Sequence, residues 1–157
     1  MLGHSVLGLY RFSGHLSAFD AGKEVNDINY WRKFVSEFYS QTGVMRQLLW
    51  NSGTRETKQF EVTTQVLARY YFTLFGSGVQ NIQIVLENVR EKELANQCHA
   101  VECPKTSFIY WFENGFHVSF YSTLPLDNLG CSLSPLTITD SWLLAEACGQ
   151  HSTRLLK

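Results

Sequence analysis

Residues 65–87 constrain the fold more than any other stretch of this chain. They read Gln-Val-Leu-Ala-Arg-Tyr-Tyr-Phe-Thr-Leu-Phe-Gly-Ser-Gly-Val-Gln-Asn-Ile-Gln-Ile-Val-Leu-Glu. Leu67, Tyr70, Tyr71, Leu74 and Phe75 recur at steps of three and four, which places them on one stripe of a helix. Thr63 and Thr64 are placed to supply an N-cap oxygen. Gly76 and Gly78 are placed to supply the left-handed residue that ends a helix. Ile82, Ile84 and Leu86 then alternate with Asn81, Gln83 and Glu87, the pattern of a strand with one apolar face. A helix that feeds directly into a strand packing on it is the centre of an α+β sandwich. The helical stripe is therefore expected in the core.

The flanking patterns extend this unit. Leu9, Phe12, Leu16 and Phe19 read as a first helix, weakened by Gly8 and Gly14, each costing ~1 kcal/mol inside a helix. Residues 21–25 read as a loop. Asn26 or Asp27 then caps a second helix with Ile28, Trp31, Phe34, Val35 and Phe38 on a wide apolar stripe. Gly43 stops it. Residues 44–51 read as a strand, 52–54 as a turn and 56–64 as the partner strand, with Phe60 and Val62 on one face. Residues 88–96 are polar and read as a surface loop, and 97–103 as a strand ended by Pro104.

Residues 107–123 carry a hairpin signal around Asn114-Gly115, the preferred pair of a two-residue type I′ turn. Such a turn sets Phe112 opposite His117, Trp111 opposite Val118, Tyr110 opposite Ser119 and Phe108 opposite Tyr121. Opposed residues share a face. Ile109, Trp111, Phe116, Val118 and Phe120 then form a core face. Phe108, Tyr110, Phe112, His117 and Tyr121 form an aromatic face with polar tips, expected as a protein interface unless another part of the chain covers it. Beyond residue 123 the pattern weakens. Residues 124–157 read as a divergent tail, with a last strand at 136–139 and a short helix through Trp142, Leu143, Leu144 and Ala147. Residues 1–123 are the expected domain.

The order of elements fits N-terminal helices packed on a curved antiparallel sheet, the cone of the nuclear-transport-factor-2-like superfamily. Eleven Phe, seven Tyr and four Trp in 157 residues suit either an aromatic-rich core or an aromatic face kept for a partner. The net charge is −1, and no basic run exists for counterion-release binding, so direct nucleic-acid contact is not expected. The first residues lack a basic leader pattern and no stretch approaches the ~20 apolar residues of a membrane span. A soluble intracellular chain with no membrane contact is expected. Cys98, Cys103, Cys131 and Cys148 form no Cys-x-x-Cys pair, and adding His99 gives no tetrahedral spacing. They are expected as free thiols, with no metal and no cofactor.

The same cone also hosts isomerases and dehydratases that pair an Asp or His base with a Tyr. Asp20, Asp27, His99, His117, Tyr110 and Tyr121 are the candidates for that alternative. Asp27 is better explained as a cap. No Ser-His-Asp spacing or phosphate loop appears. A non-enzymatic chain without a small-molecule substrate is the favoured reading, since a fold alone supports chemistry only by analogy.

An ordered series of segments resembles a known family. Tyr10-Arg11-Phe12 and the run from Tyr30 through Trp31, Arg32, Lys33, Phe34 and Val35 to Tyr39 resemble the opening helices of the dimerisation domain of LIM-domain-binding proteins, the Chip/SEUSS-like family. The similarity continues through Lys58-Gln59-Phe60-Glu61. It is strongest from Ala68 through Arg69, Tyr70 and Tyr71 to Gly78, and it reaches Ile84-Val85-Leu86 and Asn114-Gly115. It spans about residues 6–123. The resemblance implies a nuclear transcriptional cofactor that forms a homodimer and bridges DNA-binding regulators. It also implies a LisH-domain partner, with fungal members acting in adhesion, filamentous growth and development. The tail departs from the family pattern.

Overall fold

A computed structural model of the chain describes residues 4–19, 27–51, 53–93, 99–123 and 144–146. Three helices occur among them: α1 (His4–Ser17), α2 (Ile28–Phe38) and α3 (Thr64–Gly76). The strands are β1 (Val44–Asn51), β2 (Glu56–Thr63), β3 (Val79–Glu87), β4 (Arg90–Glu93), β5 (His99–Glu102), β6 (Lys105–Phe112), β7 (His117–Thr123) and β8 (Leu144–Glu146). The chain is α+β, as its patterning predicts.

The helices enclose an aromatic core with the inner side of β3 and β6 and with Met45 of β1 and Val62 of β2. Trp31 of α2 is fully buried and lies against Phe19, Tyr71 and Phe75, with ring centroids 4.9, 5.3 and 4.6 Å away. Phe12 of α1 meets Phe34 and Phe38 at 5.5 and 5.6 Å. Leu67, Tyr71 and Phe75 are buried, and Tyr70 and Leu74 pack beside them, so the α3 stripe is core. Val79, Ile82 and Ile84 of β3 close the core from the sheet side.

The helix ends follow local chemistry. Asp27 caps α2, its carboxylate accepting the Asn29 N–H at 2.8 Å. The α3 start differs from the capping expected for Thr63 and Thr64. Thr63 makes no side-chain cap bond. Thr64 instead donates its hydroxyl to the Ser40 and Gly43 carbonyls at 2.7 and 2.9 Å, tying the loop after α2 to α3. Gly78, at φ 106°, supplies the left-handed turn into β3.

The sheets are ordered β2-β1-β8 and β3-β6-β7, with β4 paired to β5. β1 and β2 are antiparallel, whereas β8 runs parallel to β1 and also lies beside β7. A bulge interrupts the β3–β6 ladder between Val79 and Asn81. The ladder from Asn81–Trp111 to Glu87–Lys105 keeps one register with that from Arg90–Glu102 to Glu93–His99. The polar stretch read as a loop at 88–96 therefore holds β4, in line with β3 beyond Asn88, whose φ is 59°. In the tail, Leu144–Glu146 is a strand where a short helix was expected; its backbone pairs with β1, and a partner strand overrides weak helical patterning. The expected strand at 136–139 and the remaining helical positions lie outside the described residues.

The β6–β7 hairpin corrects the expected register by one residue. Phe112 N–H donates to Phe116 O at 2.9 Å and Gly115 N–H to Phe112 O at 3.0 Å, so three residues form the loop rather than two. Gly115 has φ 77°, the left-handed residue that follows a type I turn in a bulged loop. Trp111 now pairs with His117, Tyr110 with Val118, Ile109 with Ser119, Phe108 with Phe120 and Ser107 with Tyr121.

Candidate functional site

A one-residue slip exchanges the faces of a strand, and that exchange rearranges the expected interface. Phe108, Tyr110 and Phe112 pack against the core beneath the helices. They sit opposite Ile84, Ile82 and Val79 of β3, the apolar side of that strand. His117 and Tyr121 occupy register positions on the other side of the sheet, opposite Trp111 and Ser107. The five residues expected as one interface are thus divided between two faces. Ile109 and Trp111, expected in the core, lie on the outer side instead.

That outer side of β3–β6–β7 is built in rows. Asn81, Trp111 and His117 form one row, and Gln83, Ile109 and Ser119 the next. Val85 and Ser107 precede the position of Tyr121, and Glu87 pairs with Lys105 in the last row. Trp111, Ile109 and His117 are half-buried, and Val85 is exposed. The Trp111 and His117 rings meet at 4.9 Å with planes tilted by 39°. The middle strand of the face carries ring and aliphatic area flanked by polar side chains. Among the described residues of this face, the Glu87–Lys105 row holds one charge of each sign.

The sequence patterns missed Trp111 and Ile109 as outer residues. Asn-Gly favours a two-residue turn, but the same glycine also suits a three-residue loop. The signal that discriminates lies in β3. Its buried Ile82 and Ile84 pair with Tyr110 and Phe108, so the neighbouring even-numbered positions of β6 share their core face.

The remaining candidates are placed one by one. Asp27 serves as the α2 cap. His99 Nδ1 stands 3.1 Å from Glu91 Oε1 on the β4–β5 hairpin. Asp20 lies outside the described residues. Tyr110 faces an interior cluster of hydroxyls. Tyr39 and Tyr71 share a hydrogen bond of 2.8 Å, and both lie 4.0 Å from Met45 Sδ. Tyr70 bonds the Gln47 amide at 3.2 Å. Burial raises the pKa of all four tyrosines above the ordinary phenol value, because a phenolate there would lose its hydration. Among the described residues, no group of three or more His, Cys, Asp or Glu side chains is arranged to hold a metal ion. No helix among them is long and apolar enough to cross a membrane.

Comparison with known proteins gives a consistent result. The family model of LIM-domain binding proteins matches residues 7–126. The transcriptional activator ptaB of Aspergillus fumigatus is 47% identical over 114 residues, covering 73% of this chain and 16% of that protein. Adhesion defective protein 1 of Schizosaccharomyces pombe is 28% identical over 120 residues, covering 75% of this chain and 31% of that protein. The probable transcriptional regulator SLK3 of Arabidopsis thaliana is 31% identical over 104 residues, covering 51% of this chain and 15% of that protein. The matched region thus spans less than a third of each of these relatives.

Proposed function

The chain belongs to the LIM-domain binding protein family, and we propose that it is the self-associating module of a nuclear, non-enzymatic transcription cofactor. Two copies joined through it bridge DNA-binding regulators held elsewhere in the assembly, with a LisH-domain protein as a further partner. Relatives named as transcriptional activators or regulators support the cofactor reading. The cone-shaped fold is part of the same proposal. It is supported by β8, the edge strand of the β2-β1-β8 sheet, which pairs with β1 and lies beside β7, the edge strand of the other three-stranded sheet.

The observation that carries self-association is the outer face of β3–β6–β7. Trp111 and Ile109 stand half-buried on β6, its middle strand, where aromatic and aliphatic side chains serve as interface anchors. The flanking Asn81, Gln83, His117 and Ser119 are polar groups suited to the rim. A two-fold interface sets a surface against itself, so any net charge on it meets the same charge. This face avoids that, since Glu87 and Lys105 lie side by side in its end row. The proposed interface includes His117 and the position of Tyr121, now alongside Trp111 and Ile109. The interior hydroxyls of Tyr39, Tyr70 and Tyr71 bond to side chains of their own chain, which supports a binding module over an isomerase.

Sedimentation at micromolar concentration tests the reading. The expected particle has twice the 18.0 kDa mass of the chain. A particle of single-chain mass at every concentration overturns it.

A further inference from the structure

We propose that Asn114 is a site of spontaneous deamidation, gated by the hydrogen bonds of the β6–β7 loop. Asn114 is the only asparagine of the chain followed by glycine. The reaction is attack of the Gly115 backbone nitrogen on the Asn114 side-chain carbonyl carbon. Glycine has no Cβ to hinder that approach, so this pair reacts faster than an asparagine before any bulkier residue. Residues 113–116 are exposed, so water and hydroxide reach both groups. In the first step the Gly115 nitrogen bonds to Cγ, and the bond from Cγ to the side-chain nitrogen breaks. The proton shed by Gly115 leaves with that nitrogen as ammonia. A five-membered imide remains. Water then opens it at either carbonyl, giving aspartate or isoaspartate. Nothing is oxidised or reduced, and water is the sole co-reactant.

The folded loop opposes the first step. Gly115 N–H donates to Phe112 O at 3.0 Å. An imide nitrogen has no hydrogen to donate, so ring closure breaks this bond. Phe116 N–H donates to Asn114 Oδ1 at 3.2 Å and holds the side chain in place. Phe112 N–H donates to Phe116 O at 2.9 Å and closes the loop around both groups. Losing one or two such bonds slows the folded chain by ~10-fold or more relative to an unfolded one. The product acts back on the fold. Isoaspartate routes the main chain through Cβ and adds one backbone atom to a three-residue loop. The pair of bonds between Phe112 and the loop does not survive that insertion, so the ladder loosens at its Trp111–His117 end. Either product adds a negative charge next to Glu113.

The test incubates the whole chain, folded in buffer and unfolded in guanidinium chloride, at one mildly alkaline pH and one temperature. Peptide mass mapping locates each converted asparagine, and isoaspartyl methyltransferase labelling identifies isoaspartate. In the unfolded chain, conversion is expected at 114 before any other asparagine. In the folded chain, conversion at 114 should be slower by ~10-fold or more. Earlier conversion at another position of the unfolded chain, such as Asn51 or Asn88, overturns the site. A folded rate equal to or above the unfolded rate overturns the gate. The Asn114→Gln variant should lose the early gain of negative charge seen by ion exchange, because glutamine must close a six-membered ring. A variant that gains charge at the wild-type rate also overturns the site. Hydrogen exchange reads the product: the Phe112 amide should exchange faster in the isoaspartyl chain, and unchanged protection overturns the loosening.

Discussion

The hydroxyls of Tyr39 and Tyr71 share a 2.8 Å hydrogen bond inside the core, joining the residue that ends α2 to the middle of α3. Both phenols are buried, and burial holds their pKa values well above the ordinary phenol range. Tyr70 and Tyr110 are shifted in the same direction by the same cause. An unfolded chain releases these protons near pH ~10, whereas the folded chain retains them to higher pH. The folded state therefore binds more protons above that point, and stability falls as pH rises through the window between the two. Circular dichroism should show a melting temperature that is steady through neutral pH and drops beyond about pH 10. The tyrosinate absorbance of these four phenols should appear together with unfolding rather than ahead of it. A smooth titration of all seven tyrosines in a chain that stays folded would contradict the buried cluster.

The α3 stripe supplies a second prediction, because its two leucines differ in burial. Leu67 is fully buried, whereas Leu74 is half-buried at the edge of the core. Leu67→Ala should cost ~2–5 kcal/mol of unfolding free energy, since it leaves a cavity that packed neighbours cannot fill. Leu74→Ala should cost less, because water reaches part of the vacated space. Urea denaturation of both variants measures the difference, and equal losses would mean the two sites are packed alike.

The loop between α2 and β1 gives a third. A methyl group on Gly43 would stand 2.9 Å from Thr64 Oγ1 and 3.1 Å from the Ser40 carbonyl. Thr64 is the residue that bonds both loop carbonyls. Gly43→Ala should therefore cost ~1–3 kcal/mol through overpacking. Thr64→Val deletes the hydroxyl's part of the same tie and leaves the backbone N–H of residue 64 on the Gly43 carbonyl at 3.0 Å. Because the two changes damage one contact, their double mutant should lose less than the sum of the single losses. Full additivity in urea melts would show that the tie is not shared.

Much of this fold was legible as periodicity. Trp31, Phe34, Val35 and Phe38 announce the buried face of α2, and Leu67, Tyr71 and Phe75 that of α3. Ile82 and Ile84 fix the inner side of β3 by simple alternation. The hairpin was not legible in the same way. Its aromatic residues occupy both faces of β6, so hydrophobic patterning does not choose a register, and the turn chemistry admits two loop lengths. The choice comes from β3, which no local pattern in 107–123 contains. β4 was hidden for a related reason. Charged residues read as loop, yet Arg90–Glu93 is held by backbone pairing with β5, and Lys92 reaches Glu102 at 2.6 Å.

The two faces of β6 support the most discriminating experiment. Tyr110 and Trp111 are neighbours in sequence, but Tyr110 packs toward the helices and Trp111 stands on the outer face. Their truncations should separate stability from assembly. Tyr110→Ala removes a ring from the inner packing and should lower the unfolding free energy by ~2–4 kcal/mol. Trp111→Ala removes the proposed anchor of self-association and leaves the inner packing in place. Anchors of this kind cost ~2 kcal/mol or more of binding energy when truncated, which is roughly a thirty-fold loss of affinity. Light scattering of Trp111→Ala should show a single chain at concentrations where the wild type is paired, with an unchanged circular dichroism spectrum. Phe108→Ala should behave like Tyr110→Ala, because both occupy the inner side opposite β3. If Tyr110→Ala instead dissociates a stable dimer and Trp111→Ala unfolds the chain, the two-residue turn and its opposite face assignment are correct. If Trp111→Ala stays folded and paired, the interface lies elsewhere, with exposed Leu7 and Tyr10 of α1 the next surface to truncate.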